Sequence, residues 1–221
     1  VDVYYTSDRA RENGLKNLAA WASFGNPIIW RPNALCGFHN ILMPQNYARK
    51  LFSDVETLKI NGFTGTDFDN NELLWSCKGL MYYTLVKALW NPDCLDFDSY
   101  FKDYCRAGFG AAAAEVGEYF KLLEKTSDAA AAREIGLGEV FDEVLIVALQ
   151  RQLDAARAKA AADPAVLERL GFLQLGLDAG KLNRALYMAR KNKSPEFKQL
   201  QESFMEFLRK NAAGNPVAIN P

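Results

Sequence analysis

The stretches PIIWR at residues 27–31 and GFTGT at residues 62–66 decide the fold that the sequence predicts. Each is a short apolar run bounded by turn-forming residues, a pattern typical of a buried β-strand. Amphipathic patterns of helical period occupy residues 10–24, 45–60 and 76–90, before, between and after the two runs. The order helix, strand, helix, strand, helix predicts parallel strands joined by a crossover helix.

Two parallel strands are too few for a stable sheet, because a parallel sheet needs neighbouring strands and cover on both faces. We therefore expect residues 1–92 to form the last βα units of a (β/α)8-type barrel whose other strands lie outside this sequence. A doubly wound sheet, cut in the same way, is the alternative that the pattern leaves open. The chain begins at Val1 rather than at a methionine, so we expect a processed chain or a piece of a longer protein.

The remaining residues, 93–221, carry helical patterns only, and alanine-rich amphipathic segments dominate them. Asp163 followed by Pro164 is an N-cap with proline at the first helical position, and it predicts a helix that runs to about Lys191. Several long helices of this kind form a bundle. The predicted fold class is therefore α/β followed by all-α, with a helical bundle domain after the barrel units.

Composition and charge exclude several classes of function. Hydrophobic residues make up 49% of the chain and charged residues 24%, as in ordinary soluble globular proteins, and the net charge of -1 gives no basic surface for nucleic acid. No apolar run approaches the roughly 20 residues that span a bilayer, and no signal peptide is visible. Phosphate-loop, dinucleotide-binding and nucleophile-elbow motifs are absent from the sequence, so no cofactor is expected.

The four cysteines and the single histidine do not form a metal-binding pattern. Cys36, Cys77, Cys94 and Cys105 include no C-x-x-C pair, and His39 alone cannot complete a zinc site of the usual Cys/His type. We expect no metal. The thiols are either buried and free or joined in one disulfide, such as Cys94 with Cys105, and the sequence leaves both open.

The segment after the first predicted strand is a candidate sugar-binding site, because chemistry in parallel barrels lies at the carboxyl ends of the strands. It contains Trp30, Arg31, Asn33 and His39. Aromatic faces stack on the C–H faces of a pyranose, and polar side chains bond its hydroxyls. Each residue has a plainer alternative: Trp30 suits a core, Arg31 could pair with Asp67 on the neighbouring strand, and His39 could orient its loop.

The segment after the second predicted strand adds acidic groups to the candidate site. Asp67 and Asp69 could act as a carboxylate pair in acid–base chemistry, or could contact a substrate. Capping of the loop by the same two side chains is an equally natural alternative. Trp75, at the end of the segment, is a further candidate for stacking on a sugar.

Short motifs across most of the chain resemble the bacterial glycoside-hydrolase-like family called domain of unknown function 4838. The longest is a helix that ends in an aromatic residue before proline, and it is followed by an acidic and aromatic helix and then a glycine. The motifs are WRPN at 30–33, GFTG at 62–65, GLMYYTLVKALWNP at 79–92, DFD at 96–98 with YF at 100–101 and Tyr104, FGAA at 109–112, and DP at 163–164 with RL at 169–170.

The resemblance implies a relative of barrel α-glucuronidases and hexosaminidases, exported for polysaccharide breakdown, so it implies a secreted or periplasmic protein. The implied partners are a carbohydrate substrate and a preceding N-terminal barrel portion of the same protein. In such relatives the acid–base residues come largely from middle strands, so the catalytic residues would lie outside this chain. By position, Trp30, Arg31, Asn33, Asp67 and Asp69 would line the sugar pocket.

The leading functional hypothesis is the C-terminal part of a glycoside-hydrolase-like protein that acts on polysaccharide or oligosaccharide. One alternative is a non-catalytic carbohydrate-binding module. The other is a structural helical module whose face of Phe197, Phe204 and Phe207 docks on a partner protein. Against this last alternative, aromatic residues at helical spacing normally pack inside the protein itself.

Overall fold

The computed structural model describes residue 5 and residues 7–31, 42–67, 75–90 and 96–214. These residues form a mostly helical protein with one very short pair of strands. The elements are α1 (Asp8–Ala22), β1 (Ile29–Trp30), α2 (Ala48–Ile60), β2 (Gly65–Thr66), α3 (Trp75–Trp90), α4 (Phe97–Phe109), a 3-10 turn (Gly110–Ala112), α5 (Ala113–Arg133), α6 (Leu137–Val140), α7 (Glu143–Lys159), α8 (Pro164–Lys191) and α9 (Phe197–Gly214).

The prediction that the first part is the end of a (β/α)8-type barrel is wrong. The two strands pair in parallel as expected, with Ile29 opposite Gly65 and Trp30 opposite Thr66, but each is two residues long and the described residues contain no other strand. An apolar run is not always a buried strand. Of the two runs, only Trp30 is buried and Ile29 is 61% exposed, while the main packing contacts are between helices, α2 with α3 and α3 with α8.

The hydrophobic core continues across the predicted boundary near residue 93. A single cluster of buried side chains joins Trp30 and Leu51 before the boundary to Phe120, Leu149 and Leu170 after it. Burial of apolar surface is the main stabilising term in folding. The two halves therefore stabilise each other, and the division into residues 1–92 and 93–221 stays a prediction.

The helix starts follow capping chemistry that is visible in the sequence. The Asp163 carboxylate accepts a hydrogen bond from the Val166 amide at 3.1 Å, and Pro164 occupies the first turn of α8. That helix ends at Lys191, which confirms the predicted length. Asp142 caps α7 in the same way. These caps define the residues at which α7 and α8 begin.

Helix α8 lies in contact with α3, α4, α7 and α9, and two glycines let its neighbours approach closely. A Cβ atom on Gly176 would lie 2.3 Å from the carbonyl oxygen of Ser76, and one on Gly180 would lie 2.6 Å from Pro44. No side chain fits at such distances. The sequence G-x-x-x-G in α8 is therefore a packing face for α3 and for the segment before α2.

Helix α9 packs on α8 with its aromatic face half-buried. Leu208 is buried, and Phe204 and Phe207 pack against the cluster that it shares with Ala179 of α8. Of the predicted docking face of Phe197, Phe204 and Phe207, the last two thus pack within the protein, and docking on a partner stays a prediction. Within the described ranges, no helix combines the length and the apolar character needed to cross a bilayer.

Two cysteines occupy buried positions as free thiols. Cys77 lies in α3 and Cys105 in α4, and neither forms a disulfide. Because Cys105 is free, the alternative Cys94–Cys105 disulfide is not formed. Burial raises the pKa of both thiols to about 11, so both are protonated at neutral pH. Cys36 and Cys94 lie outside the described residues.

Candidate functional site

The structure places the predicted site residues that it describes in different environments. Trp30 is only 3% exposed and faces the core, which matches its plainer alternative. The Arg31 Nε atom lies 3.6 Å from the Asp67 Oδ2 atom, and both side chains are more than half exposed, so these two form the cross-strand ion pair that was left open. Asn33, His39 and Asp69 lie outside the described residues.

Trp30 and Trp75 line two different cavities. Trp30 lies beside a cavity of about 330 Å³ between the sheet and the ends of α2 and α3, lined also by Leu58, Phe63 and Leu89. Trp75 lies at a larger cavity of about 540 Å³. These two cavities share no lining residue. The predicted sugar pocket around Trp30, Arg31, Asn33, Asp67 and Asp69 stays a prediction.

The larger cavity, here called the aromatic cavity, lies where α3, α4 and α8 meet. Three positions of α3 spaced four residues apart face it, because residues at i and i+4 share one side of a helix. The last turn of α4 and the first half of α8 supply the other walls. Its described lining residues are Trp75, Gly79, Tyr83, Tyr104, Ala107, Gly108, Phe109, Arg169, Phe172 and Leu173.

Ring-to-ring contacts hold the walls of the aromatic cavity in place. The Tyr83 and Tyr104 ring centroids are 5.0 Å apart, and those of Tyr104 and Phe109 are 5.9 Å apart. Trp75 packs at 5.1 Å against Tyr82, and it remains 42% exposed at the mouth of the cavity. Such tilted ring pairs stabilise their geometry beyond the burial of area. Ring contacts therefore fix the walls of the cavity, and the indole of Trp75 is partly exposed at its edge.

Three polar groups reach the same cavity. Arg169 donates from Nη1 to the carbonyl oxygen of Gly108 at 2.9 Å, which fixes the guanidinium at the end of α4 and leaves its other N–H groups as donors. Burial, followed by the negative charge and hydrogen bond of Asp103, raises the pKa of the Tyr83 phenol. Burial also raises the pKa of Tyr104. Both phenols are therefore neutral hydroxyl groups at physiological pH.

The lining of the aromatic cavity is suited to binding rather than to acid–base chemistry. The described lining residues include no Asp, Glu, His or Cys side chain. Glycoside hydrolysis normally needs two carboxyl groups on either side of the scissile bond. Across the described ranges, no group of three or more His, Cys, Asp and Glu side chains is placed to hold a metal ion. The cavity thus offers aromatic faces and hydrogen-bond donors.

Sequence reasoning found Trp75 but missed the other walls of the aromatic cavity. The spacing of Trp75, Gly79 and Tyr83 was a usable signal, because it marks a single helix face. Arg169 and Phe172 gave no such signal, since α8 reaches α3 only after the intervening chain has folded. Their part in a common cavity is a tertiary property.

No family model, curated protein or solved structure matches the chain. The resemblance to the glycoside-hydrolase-like family therefore stays a prediction that rests on its short motifs.

Proposed function

We propose that the protein binds a carbohydrate ring in the aromatic cavity and does not itself cleave it. The single observation that supports this most is the exposed plate of Trp75 at the mouth of a rigid aromatic cavity. The face of an aromatic ring carries partial negative charge and attracts the partially positive C–H groups on one side of a pyranose. Trp75 is placed to provide that stacking surface.

The polar groups of the cavity suit the rim of a sugar ring. Ligand sites are mostly apolar and carry a few directed polar groups that set orientation. Arg169, Tyr83 and Tyr104 supply such groups from α8, α3 and α4. A pyranose that stacks on Trp75 would present its hydroxyls to these groups, with Arg169 as a donor. A purely apolar ligand would leave the Arg169 donors unused, so we favour the sugar.

Catalysis stays outside this proposal, because its carboxyl groups would have to come from beyond the described lining residues. The broader hypothesis, in which the chain is the C-terminal part of a glycoside-hydrolase-like protein, assigns the helices a binding role beside a catalytic portion. A polysaccharide substrate and a secreted or periplasmic location fit that hypothesis and are likewise proposals. Hydrolysis of an aryl-glycoside panel by this chain alone would contradict the non-catalytic assignment.

The test is calorimetric titration with a panel of methyl glycosides of glucose, galactose, mannose, xylose and N-acetylglucosamine, and with the corresponding oligosaccharides. We expect at least one member to bind, and Trp75→Ala to weaken that binding by about tenfold or more, as loss of about 1.4 kcal/mol would. Trp90→Ala is the matched control, because Trp90 is 89% exposed and does not line the cavity.

Two results would count against carbohydrate binding in this cavity. If no member of the panel binds or shifts the thermal unfolding of the protein, the proposal is wrong. If a sugar binds but Trp75→Ala and Trp90→Ala have equal effects, the sugar occupies another surface. Folding of both variants is checked by circular dichroism, since each removes a side chain that is substantially exposed.

A second candidate function is contact with the preceding portion of the same protein, and exposed apolar side chains favour it. Ile60 at the end of α2 is 79% exposed, and Leu89 and Trp90 at the end of α3 are also exposed. Exposed apolar patches commonly mark interaction surfaces. We expect the chain alone to self-associate weakly through this end, and the Ile60→Ser, Trp90→Ser double variant to remain monomeric. Identical sedimentation of the two proteins would contradict this candidate.

A further inference from the structure

Three glycines of this protein lie where a neighbouring residue leaves no room for a side chain. Cβ atoms on Gly138, Gly176 and Gly180 would come within 2.6 Å of Tyr187, Ser76 and Pro44. Helix packing therefore requires the absence of a side chain at these three positions. The distance from a Cβ atom to its nearest neighbour can be compared in the same way for the other helix glycines.

Gly79 lies in the middle of α3, and packing does not require it. A Cβ atom there would lie 3.4 Å from Trp75 Cε3 and 3.7 Å from the Tyr104 hydroxyl oxygen, which are ordinary contact distances. Glycine inside a helix is less stable than alanine, because it loses more conformational freedom on folding. An isolated helix glycine thus needs another reason. Gly79 lines the aromatic cavity, as does Gly108 near the end of α4, whereas Gly117 and Gly171 do not.

The space over Gly79 is a slot between the indole of Trp75 and the phenol of Tyr104. A side chain at position 79 would contact both groups, so the absence of one leaves the space between them open. Within the described part of the chain, the Tyr104 hydroxyl forms no hydrogen bond. Tyr104 is half-buried and lines the aromatic cavity. The slot therefore ends at a hydrogen-bonding group that can serve an incoming ligand.

We propose that Gly79 sets the depth of the sugar site, so that one hydroxyl-bearing substituent of the ring enters the slot and bonds to the Tyr104 hydroxyl. This inference rests on the proposed function, because it names how the same cavity orients its sugar. The ring stacks on Trp75, and its substituent passes beside the indole to the α3 backbone at Gly79. A sugar without a hydroxyl at that position leaves the slot empty.

The experiment compares Gly79→Ala, Tyr104→Phe and Gly117→Ala by calorimetry, with the methyl glycosides that bind the wild-type protein as probes. We expect Gly79→Ala to raise the unfolding midpoint by about 2–4 °C and yet to weaken binding at least fivefold. Tyr104→Phe should weaken binding of the same probe, but not of its deoxy analogue that lacks the hydroxyl in the slot. Gly117→Ala is the control, since Gly117 is also inside a helix and its Cβ would meet nothing within 4 Å.

The outcomes separate this inference from the proposed function. If the wild-type protein binds a probe and Gly79→Ala binds it equally well, the depth inference is wrong while carbohydrate binding stands. A Gly79→Ala protein that loses stability would also overturn the inference, because packing would then require the glycine. If the wild-type protein binds no probe, both the proposed function and the inference fail.

Discussion

Gly176 of α8 lies directly against the backbone of Ser76 in α3, so closely that a Cβ atom on Gly176 would be 2.3 Å from the Ser76 carbonyl oxygen. A backbone carbonyl inside a helix cannot move aside as a flexible side chain can. The crossing of α3 and α8 therefore depends on a missing methyl group. The same crossing forms one wall of the aromatic cavity, which α3 and α8 line together.

Gly176→Ala should destabilise the protein by about 2–3 kcal/mol, because the added methyl forces the two helices apart and overpacks the core. Urea unfolding followed by circular dichroism measures the change. Gly171→Ala in the same helix is the control, since its Cβ would meet nothing within 4 Å and alanine favours the helix. A stabilising effect of both substitutions would contradict the close crossing.

Asp54→Ala should cost about 3 kcal/mol, because it removes a buried carboxylate that holds the N-terminal segment on α2. Asp54 accepts hydrogen bonds from the Tyr5 hydroxyl at 2.8 Å and from Arg11 Nε at 3.0 Å, and Arg11 Nη2 also pairs with it. Without it, those donors lose a buried acceptor. Chemical unfolding is the measurement.

Glu118→Ala provides the matched control for the Asp54 variant. Its partner Lys121 lies one helical turn away, and both side chains are more than half exposed, so solvent screens the pair. We expect its stability to match that of the wild-type protein. Equal losses of unfolding free energy in the two variants would show that burial of the Asp54 carboxylate does not add to stability.

High salt should loosen α1 before any other long helix. Helix α1 has no buried residue, and ion pairs hold much of it: Arg9 lies 2.8 Å from Glu134, and Lys50 lies 2.6 Å from Asp8. The Debye length falls from about 10 Å at 0.1 M salt to about 3 Å at 1 M, so the exposed Arg9–Glu134 pair weakens most and the less exposed Lys50–Asp8 pair weakens less. Hydrogen exchange with mass spectrometry should show faster exchange in α1 at 1 M sodium chloride. Equal acceleration in the buried α8 would argue against this local effect.

Stability should fall as the pH rises above about 10. Burial raises the pKa of Tyr104 and Tyr119 in the folded protein, whereas the same phenols titrate near pH 10 when unfolded. A raised folded pKa means that this contribution to stability is complete below pH 10 and is lost as the pH climbs towards the folded pKa. Absorbance at 295 nm should show these two phenols ionising only when the protein unfolds.

Tyr119→Phe isolates one of these phenols. The Tyr119 hydroxyl is buried and has no hydrogen-bond partner, so its removal should leave stability at pH 7 unchanged or slightly higher. The variant should lose less stability than the wild-type protein between pH 9 and pH 11. Parallel stability curves for the two proteins would contradict the role assigned to burial of this phenol.

The helices were largely predictable from local signals, and the sheet was not. Asp163 and Pro164 predict the start of α8, and the spacing of apolar residues predicts its length. Both signals are local, because capping and amphipathicity depend on neighbours in sequence. The run at residues 27–31 is apolar without being a buried strand, because only its Trp30 is buried and Ile29 is 61% exposed. Only Ile29 and Trp30 of that run form a strand.

The candidate site shows the same division. The exposed aromatic residue Trp75 was a candidate from the sequence, and Arg31 with Asp67 was identified as an alternative ion pair, which the structure contains. The aromatic cavity was not predictable, because Tyr104 and Arg169 reach Trp75 only through the packing of α4 and α8 on α3. Contacts between residues distant in sequence depend on how helix faces fit together.

By itself, the sequence determined the helical character of residues after 96, the helix caps and the parallel pairing of two short runs, since these depend on interactions between near neighbours. Only the tertiary structure decided that the core is built between helices rather than around a barrel, and that Gly79, Tyr104 and Trp75 line one cavity. The physical reason is that burial is not directional. An apolar face indicates that it must be covered, but shape complementarity, as at Gly176 and Ser76, selects the element that covers it.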